Sequence, residues 1–451
     1  MEQKRGFYWE RHAGAEKACL DLLDDCKGQN ITLARFEEKL IRQTSSRLLD
    51  WVDHFYLDGS KQAREKLLGL GFVKQPDIRR EAYYHPGALL PTIVLSGHPS
   101  PGKHGVALHV ESIAHFLQVN GFRAEIEGGL LGPFRRALLG AEGGVSLMVV
   151  ERRGARDYEP VYPQDVYLRS YLGAVEAWQN RPRGNENQDE TFTELFRITD
   201  RLLEQLGPAA AATVVCACER TYWLSRNAAA RLQQSRQETL GLGWANHDHY
   251  TFRSSRRNFS TLVALFSRLG FRNRERFYAG AEAGWGAQVM ENSSGLTLFL
   301  DVDLAPEEVE TDFSREELKP LERPGTVGLW CALHGDSILR AGMHHVAARF
   351  DFELLVSDLA RHGVEYMAPF SNFSYLKQAF SAAERWEVDQ MRVDMLIREK
   401  AITNEQGDRF LTLGAVGSHL ENIQRREGYK GFNKNNVSAI IRETDPRKYA
   451  A

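Results

Sequence analysis

The sequence predicts an α+β chain built on four copies of one strand–helix–strands unit, with helical segments ahead of the first copy and between the second and third. Three observations carry this. A short β-prone run containing His recurs with a Gly and an apolar residue behind it: His54 with Gly71-Phe72, His104 with Gly121-Phe122, His249 with Gly270-Phe271, and His345 with Gly363-Val364. The His-to-Gly spacings are 17, 17, 21 and 18 residues, room for one helix between strand and turn. Further β-prone segments follow each Gly, such as Leu296–Leu304 (LTLFLDVDL) in the third copy.

In chain order, residues 1–48 form a helical lead-in. Leu20, Leu22 and Leu23, then Phe36, Leu40 and Ile41, fall at helical intervals between charges, and Thr32 is a candidate N-cap. Residues 49–160 hold the first two units, marked by the runs VDHFYL, PTIVLS, GVALHV and GVSLMVV between Gly and Pro turns. Residues 161–240 form a connector: the polar run Gln179–Glu190 predicts an exposed loop or hinge, and 191–238 reads as helical. Residues 241–445 hold the last two units. Similarity within the repeat is best between HGVALHVE (from His104) and HHVAARFD (from His344).

The 451 residues include 57 Lys and Arg against 60 Asp and Glu, a net charge of −3. Such a balance gives no electrostatic reason to expect nucleic acid or an anionic membrane, so an acidic ligand must be captured locally. No apolar run approaches the ~20 residues that span a bilayer. The charged N-terminus lacks the apolar core of a signal peptide, and a cytoplasmic location is expected. The five cysteines, odd in number and without CxxC spacing, argue against a disulfide framework and a zinc site.

The order of the units resembles the vicinal oxygen chelate superfamily, whose βαβββ modules pair into curved half-barrel sheets around a metal. Four modules, two per half, is the layout of its two-domain dioxygenases. Met343–Phe380 and His419–Ala439 (HLENIQRREGYKGFNKNNVSA) are similar to the 4-hydroxyphenylpyruvate dioxygenase family. That resemblance puts Glu421 at the metal carboxylate position and His345 at a metal histidine position, with His249 of NHDHYTFR as the third ligand. It also makes Gln424 and Phe432 candidate pocket walls. The run Arg409–Ala415 (RFLTLGA) takes the place of a family strand but carries Thr412 and Gly414 where that strand has Gln and Phe, and Val437 replaces the closing Phe. These departures count against an aromatic substrate. DHYTFR and the segment Phe277–Leu304 resemble instead the 2-oxoadipate dioxygenase/decarboxylase family (hydroxyglutarate synthase), in which an H-x-x-x-R strand supplies a metal His and an Arg for a substrate carboxylate. By that match Arg253 is the carboxylate clamp, and a structural salt bridge or a plain surface Arg is its alternative role.

Elementary chemistry agrees with this assignment. Two imidazoles and one carboxylate form the facial triad of non-haem Fe(II) oxygenases, leaving positions for a bidentate 2-oxo acid and O2. Residues four apart on a strand share a face, so Arg253 can stand beside His249. His344 is the main alternative to His345, since a slip of one residue reverses the face. In the N-terminal half, Gly105 falls at the position of His345, and Glu151 does not align with Glu421, so a degenerate module without a metal is expected despite His54, His104 and His109. The function implied is an Fe(II) oxygenase that oxidatively decarboxylates and hydroxylates a 2-oxo acid, with one bearing a second acidic group favoured. The alternatives are an extradiol dioxygenase, a glyoxalase-like isomerase, or a metal-free small-molecule-binding protein. The expected partners are the substrate and O2, with neither nucleic acid nor membrane, and self-association into a homo-oligomer is left open.

Overall fold

The computed structural model describes residues 9–95, 104–184, 187–280, 283–433 and 444–447. The lead-in is two helices, α1 (Ala13–Gln29) and α2 (Ile31–Thr44). The N-cap of α2 is Asn30 rather than Thr32: its side chain accepts from Leu33 N, while the Thr32 hydroxyl donates to Glu142. Of the elements that follow, β1 (Val52–Leu57), α3 (Lys61–Gly69), β2 (Val73–Lys74), β3 (Ala82–Tyr84) and β4 (Thr92–Leu95) make the first module. The second is β5 (His104–His109), α4 (Ile113–Asn120), β6 (Ile126–Glu127), β7 (Phe134–Glu142) and β8 (Val145–Arg152).

The connector contains α5 (Asp165–Gln179), α6 (Gln188–Leu206), α7 (Pro208–Ser225) and α8 (Ala228–Glu238). The run expected to be an exposed loop is tied down: Arg181 within it is buried and ion-paired with the buried Glu219 of α7, which Arg183 and Trp178 also engage. A carboxylate without those partners would be costly at that depth.

The third module is β9 (His247–Arg253), α9 (Phe259–Arg268), β10 (Arg272–Tyr278), β11 (Trp285–Glu291) and β12 (Thr297–Asp303). After α10 (Thr326–His334) comes the fourth, with β13 (His345–Arg349), α11 (Phe352–Ala360), β14 (Ser371–Phe373), β15 (Leu376–Phe380), β16 (Glu384–Trp386), an inserted pair α12 (Gln390–Arg398) and α13 (Asn404–Leu413), and β17 (Ala415–Arg425). The run RFLTLGA therefore belongs mostly to a helix. Its start is set by a capping box at Thr403 and Gln406, and its apolar residues pack on α10 and α12.

Each half is one curved sheet. The orders are β2-β3-β4-β1-β5-β8-β7-β6 and β10-β11-β12-β9-β13-β17-β15-β14, with β16 paired to β17. In both, the first strands of the two modules lie antiparallel at the centre, and each runs parallel to the last strand of its own module. This is the paired βαβββ architecture that the fourfold repeat predicts. The glycines of the repeat stand just past the four helices with φ of +87°, +70°, +84° and +78°. That left-handed region favours glycine, which is why the turn residue recurs in the sequence.

Helices cover the convex face of each sheet over an apolar core. The concave faces differ. In the first half Tyr56, Ala107, Phe134, Met148 and Tyr158 fill the cup. In the second, apolar residues leave space around a cluster of polar ones, described below. The lead-in bridges the halves: Glu16 on α1 accepts from Glu427 N beyond β17 and from Arg47 near β1.

Candidate metal centre

Register builds this site. On the central strand β13, Ala347 lies directly across from His249 of β9 on one side and from Glu421 of β17 on the other. Its single methyl leaves room for both longer side chains to lean over it. His345, two residues earlier, points to the same face. The result is convergence: Glu421 Oε2 is 3.3 Å from His249 Nε2 and 3.0 Å from His345 Nε2. One ligand atom from each residue lies within 4.8 Å of the others, and all three side chains are buried. His344 is not part of this set. Its Nδ1 lies 2.9 Å from His345 Nδ1, and its ring packs against Trp330 and His419.

A neighbouring shell fixes these groups. Asp248 Oδ1 is 2.9 Å from His249 Nδ1, which leaves Nε2 as the pole aimed at Glu421. Arg425 donates to both oxygens of Asp248 at 2.8 and 3.0 Å, and to the carbonyls of Tyr429 and Gly431. Gln378 of β15 donates to Glu421 Oε1 at 2.9 Å, and Thr251 Oγ1 lies 2.8 Å from His345 Nε2.

Electrostatics follow from burial and these contacts. Burial pushes the Glu421 carboxyl upward, but the two imidazoles outweigh it and hold the carboxyl at about 2. For His249 burial is outweighed by Glu421 and Asp248, and its pKa rises. His345 lacks a second carboxylate, so burial prevails and its pKa falls. A buried carboxylate facing two imidazole nitrogens is a donor set suited to a divalent cation, and the residues present fit one.

Arg253 shares this face, two residues beyond Thr251, and lines the same pocket. Only 5% exposed, it is nonetheless poorly paired: Asp301 Oδ2 is 3.9 Å from its Nε, and neither Nε nor Nη1 has a hydrogen-bond partner among the described residues. Asp301 lies directly across from Arg253 in the β9–β12 register. Burial pushes the Asp301 carboxyl up to about 7 against the pull of Arg253. Phe432 stands at the wall, its ring 5.3 Å from that of His249 and 4.5 Å from that of Phe299.

Gln424 is not part of the pocket. An odd number of residues from Glu421, it faces the other side of β17, where its side chain accepts from Phe352 N at the start of α11. The sequence reading missed Asp301, Gln378 and the support given by Asp248. Asp301 had one signal, a carboxylate inside the apolar run LTLFLDVDL. The segment Gly431–Val437 is described only as far as Asn433, so Val437 lies outside the described residues.

The first half has the same frame with different side chains. His54 faces Ala107 as His249 faces Ala347, and Ala107 faces Met148 as Ala347 faces Glu421. Asp53 and Arg152 repeat the pair Asp248 and Arg425 behind His54. Gly105 and Met148 then stand where His345 and Glu421 stand. Glu151, on the opposite face from Met148, is engaged by Arg135, Arg153 and the amide of Ile113.

No protein-family model matches the chain, and no curated protein sequence matches it. Similar solved structures include a protein from Shewanella frigidimarina NCIMB 400, 15% identical over 49% of this chain and 96% of that one, with a TM-score of 0.33. The Mn(II)-bound glyoxalase from Novosphingobium aromaticivorans is 9% identical over 84% of this chain and 82% of its own, with a TM-score of 0.20. A catechol 2,3-dioxygenase is 9% identical over 86% and 94%, with a TM-score of 0.18.

Proposed function

We propose that this chain is an Fe(II)-dependent oxygenase that oxidatively decarboxylates and hydroxylates a 2-oxo acid carrying a second acidic group. The observation that carries the reading is the convergence of His249, His345 and Glu421 on one face with the unsatisfied guanidinium of Arg253. Held by those three residues, Fe(II) would supply O2 activation and chelation of the 2-oxo carboxylate.

The remaining work falls to the protein. Arg253 binds the distal carboxylate through its planar fork, which is why a monocarboxylic acid should be the poorer substrate. Asp301, whose carboxyl burial pushes up to about 7 in the metal-free protein, stands 3.9 Å from Arg253 without a hydrogen bond to its Nε, which leaves Arg253 with donors to offer that carboxylate. Phe299, Phe380 and Phe432 keep water from the reacting atoms. Asp248 and Gln378 hold His249 and Glu421 in their orientations.

The test is anaerobic reconstitution with Fe(II), followed by O2 and a panel of mono- and dicarboxylic 2-oxo acids. The expected result is O2 consumption matched by CO2 release. Arg253→Ala should raise KM for the dicarboxylic acid at least tenfold more than for the monocarboxylic one. Oxygen-independent isomerisation would assign the centre to glyoxalase-like chemistry, and ring cleavage of a catechol without CO2 release to an extradiol dioxygenase. Failure of the purified protein to take up metal would favour a small-molecule binder.

A further inference from the structure

A second cavity, of about 330 Å³, lies between the two halves at the ends of β5 and β13. Its wall contains His109 and Arg349, which occupy equivalent positions in the two sheets. Among its described lining residues are seven Arg and Lys against four carboxylates, in a chain whose net charge is −3. Most of these cations are satisfied within the protein. Arg152 pairs with Asp53, Arg425 with Asp248, Arg220 with Glu111 and Arg274 with Glu291.

Arg349 is the exception. Its guanidinium makes no ion pair or hydrogen bond among the described residues, and its Nε is buried without a partner. Asp50 and Asp248 attract it from farther off, while Arg47 and Arg425 repel it; burial outweighs both and lowers its pKa. Its backbone is held in place by Asn246, which accepts from Arg349 N and donates to Arg349 O. A half-buried guanidinium with free donors, rooted in a fixed backbone on a cavity where cations outnumber carboxylates, is suited to pairing with an anion.

We propose that this cavity is a second ligand site, for a small dianion such as a dicarboxylate or a phosphate, with Arg349 as its principal contact. The proposal does not rest on the metal-centre reading: the two cavities share only Phe432 among their lining residues, and the pair Asp248 and Arg425 that backs His249 forms part of this cavity's wall. Its volume lies at the lower end for small-molecule pockets.

Calorimetric titration of inorganic phosphate and of succinate into the full chain, in separate runs at low ionic strength, tests this. Saturable binding of at least one probe is expected, and which one binds assigns the anion class. Arg349→Gln should weaken it at least tenfold. Glu421→Gln, which removes a proposed metal ligand, should leave it unchanged, so a failed metal centre cannot mimic a failed anion site. Ala217→Glu supplies a second variant that places a carboxylate in the cavity from α7 and should abolish binding even if the Arg349 variant fails to fold. Absence of saturable binding by both probes overturns the proposal. So does binding unaffected by Ala217→Glu or by folded Arg349→Gln.

Discussion

Replacing Asp248 by Asn separates two consequences of one buried contact. Asp248 and Arg425 have side chains 3% and 5% exposed and share two hydrogen bonds. Removing the anion leaves Arg425 buried and anchored by two carbonyls, and breaking such a pair costs about 3–5 kcal/mol of folding stability. His249 also loses the charged acceptor that orients its Nδ1. Loss of such a partner weakens metal binding by about 10–100-fold, or about 1.4–2.7 kcal/mol. The control is the other half, where Asp53 pairs with Arg152 and backs His54 in the equivalent position. Asp53→Asn should cost comparable stability in urea denaturation and leave metal affinity untouched. Titration of the metal-free variants with Fe(II) under anaerobic conditions, alongside the denaturation curves, reads both effects. Equal loss of metal affinity in the two variants, or none in Asp248→Asn, would refute the assignment of Asp248 as the group that orients a metal-binding His249.

Three further outcomes follow from the same geometry. Glu421→Gln removes the carboxylate between the imidazoles, and metal analysis of the purified variant should find retention reduced at least tenfold. Asp301 has its carboxyl raised from 3.8 to about 7, so its contribution to stability is complete below pH 4 and is lost as pH rises through 7. At 1.36 kcal/mol per pH unit, metal-free Asp301→Asn should gain up to about 4 kcal/mol on the parent between those limits. A stability difference independent of pH would contradict this. Ala at Gly363, where φ is +78° and nothing crowds the added methyl, should cost about 1 kcal/mol, whereas at Gly270 the methyl also meets the Pro208 ring at 3.0 Å and thermal melts should show a larger loss.

How legible the chain is depends on whether a feature is local. The recurrence of His and Gly reflects strand, helix and left-handed turn within about 20 residues, and the four modules lie where it puts them. Asn30 and Thr32 are both capping residue types two positions apart, and the hydrogen bond from Leu33 N to the Asn30 side chain makes Asn30 the cap. In RFLTLGA the alternation imitates a strand, yet the Thr403–Gln406 box upstream starts a helix, and packing on α10 and α12 retains it. The family resemblance makes Gln424 a pocket-wall candidate; strand alternation puts it on the other face.

The sequence alone thus determined the modular α+β plan, because periodicity and turn chemistry are properties of short segments, and its resemblance to known dioxygenase families nominated His249, His345, Glu421 and Arg253. Tertiary structure decided what surrounds them. That Asp301 faces Arg253, that Gln378 holds Glu421, and that Met148 and Gly105 stand in the first half where Glu421 and His345 stand in the second all depend on which residues lie opposite across strands. Register joins positions up to a hundred or more residues apart, and no local pattern encodes that distance.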